Sequence, residues 1–415
     1  MKNLRLTSRA ELSDLHSFFS GCSFSPDSTC LLSADVGSNC LKVYEPKAAS
    51  LPQVLSSREG SSIYSYDWYP LMDSMQPATC AYLSSCRDSP LHLWDAFTGK
   101  LRCSYIAHDQ NDEPTAATCC RFDPTGDYIY AGYLNAIRVF RTDLPGRSCD
   151  LRQTVSARKR KDGQKGIVSA LAVNPVHNIY AAGSYSGSIY VYDERSDVLV
   201  GEVETSCVLT DGTKVNSAMS RKRKTTSAND DDDDDDDFMA IAAAAKAQFY
   251  AKNSSVGITQ LEWSNDGYSL FSSSRHCNGV IRWDMRMPTA SPVMSFERNG
   301  KTNQTLEFCF DPTERFVFVG SKEAKLTVYD LKTGEVVKEV GKEDGLQDAC
   351  NGVSVSFNSN GVEGRFACAT GQRHFALNGA EDTDTDDEDE DDDEDEDEDD
   401  DVGLGGGLLV FDFKY

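Results

Sequence analysis

Taken as a pattern of apolar and polar positions, the chain is a succession of short alternating runs with little sign of helical period. CSFSPDSTCLLSA, CRFDPTGDYIYAG, LAVNPVHNIYAAG, LEWSNDGYSLFSS, FCFDPTERFVFVG and VSFNSNGVEGRFACATG share one shape. Each is an alternating apolar run, a tight turn carrying Pro, Asn, Asp or Gly, and a second apolar run ending in small residues. Alternation of period two gives a strand one inward face, and the turn residues reverse it, so each stretch predicts a β-hairpin. A polar connection and a third strand follow, as in LKVYEP, LHLWDAF, IRVFRT, IYVYDER, IRWDMR and LTVYDLK, and often a fourth, as in TGKLRCSYI and TGEVVKEV.

Four short antiparallel strands recurring at roughly 40–50 residues, with Trp-Asp or Tyr-Asp closing the third, are the repeat of a WD-type propeller blade. Seven such units fit, the second (IYSYDWYPLMDSMQPATCAYLSSCRDSPLHLWD) with a longer first loop. The expected fold is therefore all-β: a single seven-bladed propeller over residues 1–415. Residues 205–257, with TDGTKVNSAMSRKRKTTSANDDDDDDDD and no alternation, predict a disordered insertion between blades 4 and 5, with a short helix near FMAIAAAAKAQFYAK.

The last blade poses a problem of its own. Val353 to Asn358 reads as its first strand, Arg365 to Gly371 as its second and Leu408 to Phe413 as its third, which makes residues 376–406 an acidic loop inside the blade. No fourth strand remains at that end. Asn3 to Thr7 (NLRLT) is the candidate, and its pairing with the last strand would close the ring and cover an exposed sheet edge.

Charge changes the picture only locally. The chain has 67 acidic and 41 basic residues, but Asp230–Asp237 holds eight acids and the run from Glu381 to Asp401 nineteen. The remainder, 40 acidic against 41 basic, is nearly neutral, so a polyanion site must be built from patches. Fourteen cysteines without CxxC or a metal-ligand spacing to histidine read as buried thiols of a reducing compartment. No signal core or apolar run of spanning length is seen, which predicts a soluble intracellular protein away from membranes.

Catalytic motifs do not assemble. The GKT of NGKTNQ lacks the upstream glycine of a phosphate loop, Ser295 standing there, and GLGGG at Gly403 to Gly407 follows no strand and opens no helix. Asp95, Asp193, Asp284 and Asp330 end strands where turns need acceptors. The histidines (His16, His92, His108, His177, His276, His374) are scattered over the blades. The expectation is a non-enzyme with neither cofactor nor metal site.

Binding chemistry gathers instead in the loops that lead into first strands and link second to third strands. SREGSSIYSY, SSCRDSPLHLW, AGYLNAIRVF, ARKRKDGQKG, GSYSGSIYVY, SSRHCNGVIRW, GKTNQT, DACNGVS and TGQRHF bring charge, amides and tyrosines to one rim. Arg87, Arg158, Lys159, Lys165, Arg275 and Arg373 suit phosphates; Tyr64, Tyr133 and Tyr185 suit stacking on unpaired bases; Asn303, Gln304, Asn351 and Gln372 suit base edges. A solvated loop face or a peptide-binding rim would show much the same composition.

The blade 2 stretch through FTGKLR, then DEPTAA, AIRVFRTDLPGR, GSYSGS, TNQ, CNGVS and ATGQR, resembles the telomerase Cajal body protein family, in the same order and from about Phe18 to Phe375. The resemblance implies a non-enzymatic propeller that binds the CAB box of box H/ACA small Cajal-body RNAs or telomerase RNA and directs those particles to Cajal bodies. It also implies H/ACA or telomerase proteins as partners, a nuclear location, and a monomer. Arg87, Thr302, Asn303, Gln304, Asn351, Gln372 and Arg373 are the matching polar positions. The family's acidic, proline-rich N-terminal region is not seen, and the insertion before blade 5 replaces a short connection. The competing expectation is a nuclear scaffold that holds basic proteins or peptides on the same face. Arg221, Lys222, Arg223 and Lys224 form a candidate import signal, and Thr383 and Thr385 sit among carboxylates as candidate phosphoacceptors. The run from Glu381 to Asp401 is expected either to compete with RNA for the rim cations or simply to solvate.

Overall fold

The computed structural model describes residues 2–12, 17–47, 50–155, 163–194, 199–203, 257–286, 291–357, 363–372 and 406–414. They form seven four-stranded antiparallel sheets, each a blade of a β-propeller. Blade 1 comprises Phe19–Phe24, Leu31–Asp35, Cys40–Tyr44 and Gln53–Arg58; blade 2 comprises Ile63–Trp68, Ala81–Cys86, Leu91–Asp95 and Leu101–Tyr105. Blade 3 is built from Cys119–Phe122, Tyr128–Tyr133, Ala136–Arg141 and Cys149–Gln153, and blade 4 from Val168–Val173, Ile179–Ser184, Ile189–Asp193 and Leu199–Val203. Ile258–Trp263, Ser269–Ser274, Gly279–Asp284 and Ser291–Glu297 make blade 5; Phe308–Phe310, Phe316–Gly320, Leu326–Asp330 and Val336–Val340 make blade 6. A two-stranded ribbon, Ala107–His108 with Pro114–Thr115, sits in the connection between blades 2 and 3 and was not anticipated.

Blade 7 is completed from both chain ends. Cys350–Phe357, Glu363–Thr370 and Gly407–Lys414 pair in sequence, and Lys2–Glu11 adds to the last of them with Arg5 opposite Asp412, Leu6 opposite Phe411 and Ala10 opposite Leu408. The expected closure is therefore present, through a strand longer than NLRLT. Thr7 Oγ1 donates to the Val410 carbonyl at 3.0 Å, and the Leu12 amide donates to the Gly406 carbonyl at 3.2 Å. Residues 376–405 of the acidic loop and 205–256 of the insertion lie outside the described residues, as do Arg221 to Lys224, Thr383 and Thr385.

The core is distributed. Seven apolar clusters occupy the seven seams between adjacent blades, for example Leu83, Leu93, Phe122 and Ile129 between blades 2 and 3, or Phe19, Leu31, Leu51 and Leu408 between blades 1 and 7. This explains the sequence pattern. A second strand is covered on both faces by neighbouring blades, so Leu31–Asp35, Ala81–Cys86 and Phe316–Gly320 are buried at every position. Fourth strands such as Gln53–Arg58 form the outer edge and are mostly exposed. Turn aspartates behave as expected: Asp95 accepts from the Phe97 and Thr98 amides at 3.0 and 2.8 Å, and Asp330 from Lys332 and Thr333 at 3.0 and 2.9 Å. All described cysteines are free thiols. Among the described residues no helix is long and apolar enough to cross a membrane.

Candidate nucleic-acid interface

First strands ring a central cavity of about 780 Å³. One mouth is built from the starts of first strands and the loops after second strands. A recurring backbone bond welds these together: the amide of the residue just after the second strand donates to the carbonyl just before the first. It is seen for Val36 to Phe18, Arg87 to Ser62, Tyr185 to Ile167, Arg275 to Gly257 and Gly371 to Ala349, at 2.9–3.1 Å. The position after the second strand is thus held on the rim in five blades, and its side chain is what varies: Val36, Arg87, Tyr185, Arg275, Gly371.

Of the residues expected to contact ligand, several are displayed there. Arg87 is two-thirds exposed and pairs only with its neighbour Asp88 at 3.2 Å. Lys165 is exposed and Tyr64 is 48% exposed. Tyr185 and Arg275 line the cavity mouth, with the Arg275 guanidinium 4.6 Å from the Tyr185 ring centre. Burial pushes the Tyr185 phenol up, with Arg275 opposing. Asn303 is exposed, and its Oδ1 lies 2.8 Å from Nε2 of His276, a rim residue that was not singled out from the sequence. Gln372 is half-buried at the last described position of its segment, whereas Arg158, Lys159 and Arg373 lie outside the described residues.

Two expected contact residues, Tyr133 and Asn351, are buried, and a third, Gln304, is half-buried at the cavity lining with its amide engaged internally. Tyr133, the last residue of its second strand, is 5% exposed within the seam between blades 2 and 3, beneath Arg138. Asn351 is fully buried: its amide nitrogen donates to the Phe19 carbonyl at 3.0 Å and to the Gly371 carbonyl, and its Oδ1 accepts from Gln304 Nε2. Gln304 Nε2 also donates to the Gly371 carbonyl at 2.8 Å. Gln304 and Asn351 therefore form an amide relay joining blades 6, 7 and 1, because buried polar groups must be satisfied internally. Glu59 and Gln164, four residues ahead of their first strands, and Arg298, just after the fourth strand of blade 5, do similar work. Gln164 Nε2 donates to the Ala182 carbonyl at 2.8 Å, and Arg298 to the Leu306 carbonyl at 2.8 Å. Burial lowers the Arg298 pKa to about 10.

Glu59 has the densest surroundings. Its carboxylate accepts from Ser84 Oγ, from Trp94 Nε1 at 3.2 Å and from Cys86 Sγ at 3.2 Å, and it pairs with His92 Nδ1 at 2.8 Å. Burial opposes ionisation, but the hydrogen bonds from His92 and Ser84 hold the carboxyl below its ordinary value. Burial and then Glu59 push the Cys86 thiol up to about 11. Ligand atoms of Glu59, Cys86 and His92 lie within 4.8 Å of one another, the residues best placed to hold a metal among those described. As found they form a satisfied network, with one carboxylate oxygen taken by Ser84 and Trp94. Cysteine spacing alone did not reveal it, since Glu59 belongs to another connection.

Below the rim the cavity becomes acidic. Asp67 pairs with Arg121 at 3.2 Å and accepts from the Phe122 amide at 2.9 Å. Glu262 and Glu307 share the same throat, and Asp311 and Glu314 lie towards the far mouth. Burial raises the carboxyls of Asp67 and Glu262 despite Arg121, and raises Glu307 to about 7 despite Arg121 and the Cys22 and Val353 amides. The Tyr66 hydroxyl, also in the throat, has no hydrogen-bond partner among the described residues. An acid in the middle of an apolar inner strand, as in LEW and LEF, was the available sequence signal.

A model of the WD domain, G-beta repeat, matches residues 157–193. Telomerase Cajal body protein 1 of Bos taurus is 33% identical over 376 residues, covering 86% of this chain and 58% of that protein. The Homo sapiens protein of the same name is 33% identical over 329 residues, 75% of this chain and 50% of that protein. This chain is homologous to the telomerase Cajal body proteins. The Drosophila melanogaster homolog is 30% identical over 394 residues, 88% of this chain and 60% of its own length. The chain thus spans about half to three-fifths of the relatives it matches.

Proposed function

We propose that this propeller is a non-enzymatic RNA-binding module that takes box H/ACA small Cajal-body RNA or telomerase RNA on its rim. By doing so it directs the assembly and localisation of the particle in the nucleus, with the Cajal body as destination. The observation that supports the reading is the rim: Tyr64, Tyr185 and Arg275, from blades 2, 4 and 5, line one mouth, and Arg87 and Lys165 are exposed in the loops of blades 2 and 4, in a chain whose relatives bear the names given above. Cations there engage phosphates, rings and guanidinium planes stack on unpaired bases, and amides read edges. Arg158, Lys159, Gln372 and Arg373 extend the same proposal along the chain, Arg221 to Lys224 serve import, and the particle's proteins are the further partners. A monomer is the proposed working unit, and closure of the ring within one chain supports it.

Crosslinking in cells followed by sequencing of bound RNA tests the reading. Enrichment of H/ACA hairpin loops, reduced by Arg87→Glu, is expected. Retention of protein partners alone, unaffected by nuclease, would instead support a scaffold for basic proteins.

A further inference from the structure

The mouth and throat of the channel carry opposite chemistry, and that contrast gives a bound strand an orientation. The guanidinium carbon of Arg275 lies over the Tyr185 ring, 4.6 Å from its centre. Both are fixed by their backbones, Arg275 to the Gly257 carbonyl at 2.9 Å and Tyr185 to the Ile167 carbonyl at 3.0 Å. Gly257 packs so tightly on Tyr185 that a Cβ there would sit 2.9 Å from ring carbon Cδ1. A planar cation on an immobilised ring is a stacking surface whose ordering cost is already met by the fold. Arg275 Nε is buried and has no hydrogen-bond partner among the described residues. Tyr64, on blade 2, lines the same mouth with about half its surface free, near enough to Tyr185 to oppose ionisation of its phenol.

Deeper in, Asp67, Glu262 and Glu307 face a single cation, Arg121. Burial tilts these acids towards the neutral form, yet they outnumber Arg121, so the partly desolvated throat offers phosphate no net positive charge, while a neutral base with N–H donors finds acceptors there. We propose, resting on the RNA-binding reading above, that the channel mouth holds one unpaired nucleobase against the Arg275–Tyr185 pair with Tyr64 beside it, and that the throat acids keep the sugar-phosphate backbone out on the rim. The rim cations Arg87 and Lys165 then lie where the phosphates run.

The test uses the full chain and a labelled hairpin bearing the terminal loop of a box H/ACA small Cajal-body RNA, with each loop nucleotide in turn made abasic. One abasic position should weaken binding on the order of tenfold, as loss of one stacked base implies. Tyr185→Ala should lose a similar factor with the intact hairpin and nothing further with that abasic one. Tyr185→Phe, which keeps the ring, should stay within about twofold of wild type, and Arg275→Lys, which keeps charge but not the plane, should weaken binding. Melting temperature checks each variant for folding. If the wild type binds but no loop position responds, or if the Tyr185→Ala and abasic losses multiply, the base pocket is overturned and RNA binding stands. Should no H/ACA hairpin bind the wild type, the underlying reading falls first and takes the pocket with it.

Discussion

Removing residues 1–12 should open the ring, and the size of the effect can be worked from what this strand buries and bonds. Leu12 is 8% exposed in the seam between blades 1 and 7, and Leu4 and Leu6 are half-buried against the seam between blades 6 and 7. Full burial of a leucine is worth roughly 1.5–3 kcal/mol, so one buried and two half-buried leucines come to about 3–6 kcal/mol before hydrogen bonds are counted. The ladder to Gly407–Lys414, the Thr7 hydroxyl bond and the 2.7 Å bond from Arg9 to Gln347 go as well. Against a total stability of roughly 5–15 kcal/mol this is a large share, and for a propeller of this size it corresponds to a fall in Tm of about 5–8 °C. The freed edge of Gly407–Lys414 also becomes a template for pairing between molecules. Urea and thermal unfolding followed by circular dichroism, with light scattering, measure both effects. A synthetic peptide of residues 1–12 added in trans should restore part of the loss. An unchanged Tm with no aggregation would refute the argument that this strand closes the ring.

Other expectations concern the relay, the throat and the acidic run. Asn351→Ala removes the side-chain donor to the Phe19 carbonyl and one of the two acceptors of Gln304 Nε2, which keeps the Gly371 carbonyl, and should cost about 1–3 kcal/mol in urea unfolding; Gln304→Ala should cost less, and the double variant less than the two together. Glu307 has a folded-state pKa raised to about 7 from 4.5, so the native state retains a proton that the unfolded chain releases between those values. Stability should be highest below about pH 4.5 with respect to this group and fall as pH rises through 7, by on the order of 1–2 kcal/mol after allowance for its partial contact with the channel, and Glu307→Gln should remove that fall. Deleting residues 381–401 should strengthen nonspecific RNA binding at low salt if the acidic run competes for rim cations; no change, or weaker binding, would assign it to solvation.

The ring was readable because its signals are local. A hairpin needs only an alternating run and a turn such as PDS or PTGD, and the missing fourth strand of blade 7 could be found by elimination because a single unpaired strand edge demands a partner. The placement of rim side chains was less readable. Asn351 and Gln304 have the polarity and loop context of ligand-binding amides, yet 47 residues apart in sequence they meet at the Gly371 carbonyl, a contact that no local pattern encodes. Glu59 escaped notice for the same reason: Cys86 and His92 come from a different connection.

Tyrosines make the distinction sharpest. Tyr133 and Tyr185 both stand where a second strand runs into its loop, in AGYLN and GSYSG. Tyr133 is the final residue of Tyr128–Tyr133, a strand covered by blades on both sides, and is buried. Tyr185 follows Ile179–Ser184 by one position, so the same side chain is carried out of the seam and onto the mouth. Arg87 after Ala81–Cys86 and Arg275 after Ser269–Ser274 occupy the equivalent place. One residue of register therefore separates a core position from one that lines the mouth, and the recurring backbone bond to the start of the first strand is what holds that register in place. Inserting a single alanine between Ser184 and Tyr185 should then abolish the stacking contribution to RNA binding while leaving the seam clusters, and hence most of the Tm, intact. Full RNA affinity in that variant would show that the rim side chains do not depend on this register.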